Sequence, residues 1–523
     1  TTGTGDDIVF GGLGSDTLST DEGDNIVLGD EGFVQYQDQT DTGGTIVFDE
    51  ISSLFLENSA LGDRDVDTFV QGGDETITTG TGNDIVIGSL GDDQIVAGDG
   101  DNLVFGDEGG IEFQTGEAGL RDRITSRYLD GLGRSALDAA DATVGNDTIS
   151  TRFGTDVMIG GLGKDMMTTL AGHTIVLGDE GFLQYHAREP VLGEIASLYL
   201  DGAQDFVQGG DDTIQTDRGR LAVDIVTGDD VVIGGLGDDT ISIGSGNNIA
   251  LGDEGRVTFQ VGSGIRDRIR SQYLDGDGLS VLDSSAAVVG NDDITAGAGS
   301  DVIIGGLGSG TLAGATGDNI VLGDEGFVQY QDQFVTRGVS LLYEVSSLYL
   351  DNPVARATVR TLQGGSETIT TGGGDDIVIA GLGNDIVHAS NGTNIVLGDE
   401  GGITYQTGTD LRYRITSRYL NWTGYAAVDA TDAQAGNDRI SAGTGSDVLI
   451  GGLGTETIMA GDGDNIVFGD EGFILYQDQR DTANASVLDE VSGLLLEPAE
   501  RLVQGGNERI RTGVGADIVI AGL

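Results

Sequence analysis

The sequence predicts an all-β chain. The architecture is a parallel β-roll, or β-solenoid, of nonapeptide half-coils, with insertions of about 30–40 residues covering one sheet as an extra layer. Three observations predict it. A nine-residue unit of glycine turn, aspartate and three-residue strand recurs along the chain, as in Gly11-Gly12-Leu13-Gly14-Ser15-Asp16-Thr17-Leu18-Ser19. There are 92 glycines against 3 prolines without a triplet period, which marks turns at short spacing rather than collagen. The strands between turns come in two kinds, either polar on both sides of a central apolar residue or apolar throughout.

The glycine turn recurs as Gly160-Gly161-Leu162-Gly163, Gly234-Gly235-Leu236-Gly237, Gly305-Gly306-Leu307-Gly308 and Gly451-Gly452-Leu453-Gly454, and more loosely as Ala380-Gly381-Leu382-Gly383. Leu13, Leu90, Leu162, Leu236, Leu307, Leu382, Leu453 and Leu523 mark it at intervals of 70 to 77 residues. A second marker, Gly-Asp-Glu-Gly, keeps the same period at Gly29–Gly32, Gly106–Gly109, Gly178–Gly181, Gly252–Gly255, Gly323–Gly326, Gly398–Gly401 and Gly469–Gly472. Two kinds of excursion follow it in alternation. One begins like Phe33-Val34-Gln35-Tyr36-Gln37 and carries Glu50-Ile51-Ser52-Ser53-Leu54-Phe55-Leu56. The other begins like Gly110-Ile111-Glu112-Phe113-Gln114 and carries Arg121-Asp122-Arg123-Ile124-Thr125-Ser126-Arg127-Tyr128-Leu129. The expected organisation is one continuous solenoid over 1–523, in units 1–69 (partial), 70–141, 142–206, 207–286, 287–361, 362–432, 433–502 and 503–523 (partial).

Between excursions lie four nonapeptides, in the second unit Val70–Thr78, Thr79–Ile87, Gly88–Val96 and Ala97–Phe105. One turn and one short strand make half a coil, so the central residues Ile77, Val86, Ile95 and Val104 point inward and their neighbours outward. A single rung cannot bury its apolar face alone; stacking buries it. The pattern resembles the RTX, or haemolysin-type, calcium-binding repeat, G-G-x-G-x-D-x-U-x with U apolar. Gly11–Ser19 and Gly234–Ser242 match every fixed position, whereas Thr2–Phe10, Thr79–Ile87 and Ala442–Ile450 miss only the first glycine. The resemblance covers roughly half the chain and leaves the excursions unexplained. It implies a parallel β-roll in which turn aspartates and backbone carbonyls hold Ca²⁺ between rungs, in a large repetitive secreted bacterial protein.

Strands such as Thr17–Ser19, Thr76–Thr78, Thr148–Ser150, Thr240–Ser242 and Thr368–Thr370 are polar outside. The intervening ones, such as Ile8-Val9-Phe10, Ile85-Val86-Ile87, Ile175-Val176-Leu177, Val302-Ile303-Ile304 and Ile395-Val396-Leu397, are apolar outside as well. Alternate nonapeptides therefore build opposite sheets, and the apolar one must be covered. The excursions offer Phe33, Val34, Tyr36, Ile51, Leu54, Phe55 and Leu56 in the first copy. Burying each such side chain contributes roughly 1.5–3 kcal/mol. The excursions are expected to leave from one edge and fold back over the apolar sheet as short strands, with or without a helical turn; lateral self-association is the alternative cover. Thr216–Asp224 adds nine residues and reads as a bulging loop.

Composition narrows the function. The chain carries 87 Asp and Glu against 25 Lys and Arg, a formal net charge of −62, which repels nucleic acid and anionic membrane and favours cations or basic partners. At 38% hydrophobic it is too apolar for a disordered acidic tail. Without cysteine there is no disulfide or thiolate site, and no run of 18 apolar residues spans a membrane. The chain opens and closes inside a repeat, as expected for a piece of something longer.

In a solenoid each turn recurs about 4.8 Å along the axis. Carboxylates at that spacing repel by roughly 3–4 kcal/mol per neighbouring pair at an effective dielectric near 20. A divalent oxygen-loving cation between rungs reverses this, and Ca²⁺ accepts the six to eight oxygens available. The candidate ligands at the turn position are Asp7, Asp16, Glu75, Asp84, Asp93, Asp147, Asp156, Asp165, Asp212, Asp230, Asp239, Asp292, Asp301, Glu367, Asp376, Asp385, Asp438, Asp447, Glu508 and Asp517, with Glu456 also in phase. The fourth nonapeptide carries Asn25, Asn102, Asn248, Asn319, Asn394 or Asn465 there, or Thr174, and Gly310 interrupts another unit. Sites beside asparagine are expected to be weaker or empty, and stacked asparagines could pair amide to amide as a metal-free ladder.

Asp30-Glu31 and its equivalents either complete a site where the roll gives way to an excursion or solvate a corner. Asp63-Arg64-Asp65-Val66-Asp67 reads as loop. The groups Arg121/Arg123/Arg127, Arg266/Arg268/Arg270 and Arg412/Arg414/Arg418 are expected to bridge to acidic turns within the chain, with docking onto another chain as the alternative. His173, His186 and His388 occupy unrelated repeat positions, so no catalytic constellation is expected. The function expected is structural: a calcium-binding segment of an extracellular filament, matrix fibre or adhesin stalk, at the cell surface or beyond it. Self-association, with cell-surface or matrix contacts, is expected. A surface-layer module, or a glycan- or ice-binding module using the polar sheet, is the alternative; a polysaccharide lyase is disfavoured for want of a unique cluster.

Overall fold

The computed structural model describes residues 1–37, 47–54, 72–117, 119–126, 145–198, 209–217, 228–271, 290–332, 340–348, 364–418, 436–477, 486–493 and 506–522. Every named element among them is a β-strand. The chain divides into two compact units, Thr1–Gly244 with Val261–Gly264 and Tyr273–Val281, and Ser245–Gln260 with Ile265–Gln272 and Leu282–Leu523.

Three sheets make up the first unit. An apolar parallel sheet runs Ile8–Phe10, Ile26–Leu28, Ile85–Ile87, Leu103–Phe105, Phe153–Ile159, Ala171–Leu177 and Val231–Ile233. A polar parallel sheet runs Thr17–Ser19, Thr76–Thr78, Gln94–Val96, Thr148–Ser150, Met166–Thr168, Thr213–Gln215 and Thr240–Ser242. Successive nonapeptides therefore do alternate between sheets. The third sheet is an antiparallel meander of hairpins from the excursions: Gly32–Tyr36, Phe48–Ser53, Gly109–Phe113, Arg121–Ser126, Gly181–Tyr185 and Leu192–Ser197.

The second unit repeats this plan. Its apolar sheet begins Ile249–Leu251, Val302–Ile304, Ile320–Leu322 and its polar sheet Asp293–Thr295, Thr311–Ala313, Thr368–Thr370. Its hairpin sheet begins Gly255–Phe259, Arg266–Ser271, Gly326–Tyr330.

Register is strict because the inward residue must stay inward. Ile85, Val86 and Ile87 face Leu103, Val104 and Phe105, while Thr76, Ile77 and Thr78 face Gln94, Ile95 and Val96. The centres Ile77, Val86, Ile95 and Val104 are all fully buried, whereas Thr76 and Thr78 are exposed.

The hairpins are the cover that the apolar sheet demands. Leu103 and Phe105, which face outward from the roll, are 0% and 1% exposed. The first hairpin residue is glycine because it rests on the last residue of the apolar strand. A Cβ on Gly109 would lie 2.3 Å from the Phe105 ring, and one on Gly181 2.4 Å from a Leu177 methyl. In the first strand, by contrast, Ile8 and Phe10 remain 45% and 44% exposed.

Two devices tie hairpin to hairpin. Gln114 Nε2 donates to the Arg121 and His186 carbonyls at 3.0 Å each, while its Oε1 accepts from the Arg188 N–H. Gln37, Gln260, Gln331 and Gln406 occupy the same place, their amides reaching the carbonyls of Gln114, Gln331, Gln406 and Gln477. The arginines lie on rings: Arg123 over Phe182 at 4.3 Å, Arg268 over Phe327 at 4.4 Å and Arg414 over Phe473 at 5.2 Å. These three arginines act within the chain by stacking on the next hairpin, and Arg418 pairs with Glu344, also a hairpin residue, whereas Arg270 lies near the corner carboxylate Glu325. Arg127, Phe55, Leu56, Asp63–Asp67 and most of Thr216–Asp224 lie outside the described residues.

Candidate metal centres on the turn edges

The two edges of each unit differ in chemistry because they carry different halves of the sequence period. Turns that lead into the polar sheet form an acid edge. It holds Asp16, Glu75, Asp93, Asp147, Asp165, Asp212 and Asp239 in the first unit, and Asp292, Glu367, Asp385, Asp438, Glu456 and Glu508 in the second. Turns that lead into the apolar sheet form a mixed edge. There Asp7, Asp84, Asp156 and Asp230 alternate with Asn25, Asn102 and Thr174, and Asp301, Asp376, Asp447 and Asp517 with Asn248, Asn319, Asn394 and Asn465.

On the acid edge Asp93, Asp147, Asp165, Asp212, Asp385 and Asp438 each use one oxygen to bind the neighbouring rung. Asp93 Oδ1 accepts from Glu75 N–H at 2.7 Å, Asp147 from Asp93 at 2.8 Å, Asp165 from Asp147 at 2.7 Å and Asp212 from Asp165 at 2.7 Å. Asp385 and Asp438 take the N–H groups of Glu367 and Asp385, each at 2.9 Å. The second oxygen turns inward. Asp93, Asp147, Asp165, Asp212, Asp385 and Asp438 Oδ2, and both carboxylate oxygens of Glu75, Glu367 and Glu456, are buried and meet no donor among the described residues. Buried acceptors left this way cost about 1–3 kcal/mol each, and charged ones more.

The excursion interrupts every second turn of this edge, yet the turn is rebuilt from two chain segments. In the unbroken turn Gly88–Asp93, a Cβ on Gly88 would lie 2.3 Å from Asp93 Oδ2. In the split turn, Gly106 leaves and Asp147 returns, and the matching distance is 2.1 Å. Gly178 with Asp212, at 2.3 Å, and Gly398 with Asp438, at 2.6 Å, repeat the relation.

The Gly-Asp-Glu-Gly corner belongs to this edge and is not a solvated corner. Asp107 and Glu108 are each 2% exposed. Asp107 Oδ2 accepts from the Leu162 N–H at 2.7 Å, and Asp324 likewise from Leu382 at 2.6 Å. The aspartate fits because the neighbouring turn has glycine beside it: Gly161 has φ +114° and a Cβ there would stand 2.6 Å from Asp107 Oδ2. Glu108, Glu400 and Glu471 are raised by burial, and Ser53, Ser347 and Ser417 of the hairpin sheet oppose the rise. Those serines also clasp the next hairpin, as Ser53 Oγ accepts from Gly109 N–H at 2.9 Å. The signal for this placement was present: Gly-Asp-Glu-Gly follows an apolar strand at the phase of Gly-Gly-Leu-Gly.

On the mixed edge the asparagines pair without a cation, while Asp7, Asp84, Asp156, Asp376 and Asp447 Oδ2 stay buried with no donor among the described residues, as on the acid edge. Asn102 Nδ2 donates to the Gly98 and Gly100 carbonyls at 3.0 Å each and to Asp156 Oδ1 at 3.1 Å, and its Oδ1 accepts from Asp84 N–H at 3.2 Å. Asn25 with Asp84, Asn248 with Asp301 and Asn319 with Asp376 follow suit. The amide-to-amide ladder is therefore corrected. An eighteen-residue coil brings each asparagine against an aspartate, and the amide pairs with that carboxylate and with its own turn.

Electrostatics separates the edges further. Burial, and after it Asp147, raises Asp93 and the coupled Glu75–Asp93 pair titrates upward. Burial and then Asp147, Asp165 and Glu180 push Asp107 well above the carboxylate range. Burial raises Asp30 to about 8, Glu456 to about 9, and Glu108, Glu400 and Glu471 to about 7. On the mixed edge burial also raises Asp156 and Asp376, but hydrogen bonds from Asn102 and Thr151, or Asn319 and Thr371, oppose it.

The family model described as RTX calcium-binding nonapeptide repeat (4 copies) matches residues 1–33, 71–109, 136–174, 226–264, 289–312, 363–401, 432–467 and 450–472. The chain belongs to the RTX calcium-binding repeat family. Its repeats bind multiple Ca²⁺ ions. Among curated proteins none matches the chain.

The donor set fits that ion, since the RTX turns of the acid edge point buried anionic oxygens with no donor at glycine backbone, the hard-oxygen surroundings calcium takes. Asp93, Asp147, Asp165 and their equivalents are the residues that would hold it. The ion would supply the positive charge that lets neighbouring RTX rungs stay ionised while stacked. Gly310 leaves this edge without a carboxylate between Asp292 and Glu367, beside a narrow void.

Proposed function

We propose that this chain is a calcium-stiffened RTX segment of a secreted filament, matrix fibre or adhesin stalk, working outside the cell. The observation that carries the reading is the acid edge: a column of carboxylates in which Glu75, Asp93, Asp147, Asp165, Glu367, Asp385, Asp438 and Glu456 keep a buried oxygen with no donor among the described residues. Such a column opposes its own stacking until cations neutralise it, so rigidity depends on extracellular calcium concentration. A net charge of −62 suits a calcium-rich medium rather than contact with anionic polymers. Among the described residues no helix is long and apolar enough to cross a membrane. The reading assigns the chain no reaction and expects contacts with further copies of itself or with a surface matrix.

The exposed threonines of the polar sheet offer a ligand-binding alternative, but Gln94 and Val96, Met166, and Ile386 and His388 break the array. Circular dichroism of the full chain with and without chelator tests the main reading. Calcium should raise β-content and the unfolding temperature sharply, and an unchanged spectrum on chelation would sink it. Electron micrographs of calcium-loaded protein would separate a fibre from a lattice or a dispersed monomer.

A further inference from the structure

We propose that the aspartate of each Gly-Asp-Glu-Gly corner is a metal ligand, forming with the carboxylate of the preceding unbroken turn and the carboxylate that returns from the excursion a composite divalent-cation site at every split turn. The proposal rests on the calcium reading of the acid edge and adds a ligand that the nonapeptide does not contain, since Asp107 stands where the repeat has its second glycine.

Three carboxylates converge at one of these places. Oxygens of Glu456, Asp470 and Glu508 lie within 4.8 Å of one another, one from the unbroken turn, one from the corner and one from the returning arm. Glu456 is 0% exposed, and neither of its oxygens meets a donor. By repeat position the same three roles fall to Asp93, Asp107 and Asp147, and to Asp385, Asp399 and Asp438. There, Asp107 Oδ1, Asp399 Oδ1, Asp93 Oδ2, Asp147 Oδ2, Asp385 Oδ2 and Asp438 Oδ2 are all buried without a donor. Each of these corner aspartates therefore spends one oxygen on a backbone N–H, from Leu162 or Leu453, and keeps the other for a ligand. At Glu456, Asp470 and Glu508 three carboxylate oxygens within reach of one point would be half the shell of a calcium ion, with glycine-turn carbonyls for the rest.

The test separates charge from turn structure. Asn keeps the oxygen that accepts the leucine N–H and loses the charge, so Asp107→Asn with Asp399→Asn should leave the turns capped. Native mass spectrometry and calorimetric titration of the full chain with calcium chloride count the ions. The double variant should lose two ions, or weaken two sites at least tenfold, at calcium levels that saturate the parent. Asp24→Asn, at an exposed turn carboxylate that caps the Asn83 N–H, should leave the count unchanged. An unaltered count and midpoint in the double variant would overturn the proposal, as would an equal loss in the Asp24 control. If the double variant does not fold in saturating calcium, Glu508→Gln serves in its place, because Gln keeps the acceptor for the Gly506 N–H. A parent chain indifferent to chelation would defeat the calcium reading as a whole, whereas a calcium-dependent parent with calcium-normal variants would defeat only the composite site.

Discussion

Replacing Asn102 by Asp puts a second carboxylate where the mixed edge keeps a neutral amide. Asn102 is 1% exposed and donates three hydrogen bonds, one of them to Asp156 Oδ1 at 3.1 Å. The substitution removes all three donations while keeping the acceptor for Asp84 N–H. Two carboxylates at that separation would repel by about 5 kcal/mol at an effective dielectric of 20. Protonating one of them relieves part of this, so the local cost at neutral pH is about 3 kcal/mol, or roughly 100-fold in a local opening equilibrium. Global unfolding is a poor readout for a repeat array that opens piecewise. Amide hydrogen exchange in saturating calcium is better, read at position 102, whose N–H donates to Asp156, and at Asp84. Exchange there should quicken by about 100-fold in Asn102→Asp. A change of less than threefold, with no extra calcium bound, would refute the view that this edge depends on its neutral rungs.

Other consequences follow from the same geometry. In chelator, the fold should hold more β-structure at pH 5 than at pH 8. The acid-edge carboxylates are raised above their ordinary values by burial, so the calcium-free fold binds protons that the unfolded chain has lost. That stability is complete below pH 4 and disappears as pH climbs through about 7 to 9, where Glu108, Glu400, Glu471, Asp30 and Glu456 ionise. Equal circular dichroism at both pH values would contradict this. Ser89→Gly should stabilise by about 0.5–1 kcal/mol, because Ser89 holds φ +80° at the turn position where Gly161 and Gly235 hold +114° and +113°. Protection of the Leu90 amide, measured by exchange, should rise with it. Gln331→Ala strips four hydrogen bonds, to the carbonyls of Leu342, Gln406 and Thr409 and from Gly408 N–H. At about 1 kcal/mol for each bond lost, loosening of 2–4 kcal/mol is expected at that hairpin, visible as faster exchange of the Gly408 amide.

The period-2 rule made the sheets legible, since Ile77 and Val86 could only be central and inward once their neighbours were read. The cover was legible as a need: an apolar strand such as Leu103–Phe105 has no other way to leave water. Its construction was not, because nothing local says that Gln114 reaches the His186 carbonyl or that Arg123 lies on Phe182. Both depend on how one hairpin registers against a hairpin more than 50 residues away. The turn aspartates were legible singly, but their division between two edges follows from counting half-coils through the excursion. Asparagine facing aspartate, rather than asparagine, is a consequence of that same count. Asp107 and Glu108 were ambiguous because the dipeptide resembles a solvated corner until the returning Asp147 is placed beside Gly106.

The two edges follow from where the chain departs. On the mixed edge no excursion splits the turns, and the asparagine rungs pair with a neighbouring carboxylate without a counter-ion of their own. On the acid edge the backbone leaves at Gly106 and returns at Asp147, and continuity must be restored by noncovalent means. Hydrogen bonds alone would suffice for the backbone but would leave the departing aspartate and glutamate buried and charged. Their retention at every split turn is explained if they are the restoring contact. Ser53, which favours the charged form of Glu108, also clasps the hairpin, so neutralising the carboxylates would fix the roll and its cover in one event. On this argument the excursions concentrate the cation ligands, and the cover sheet should order only as far along the chain as the acid edge is neutralised.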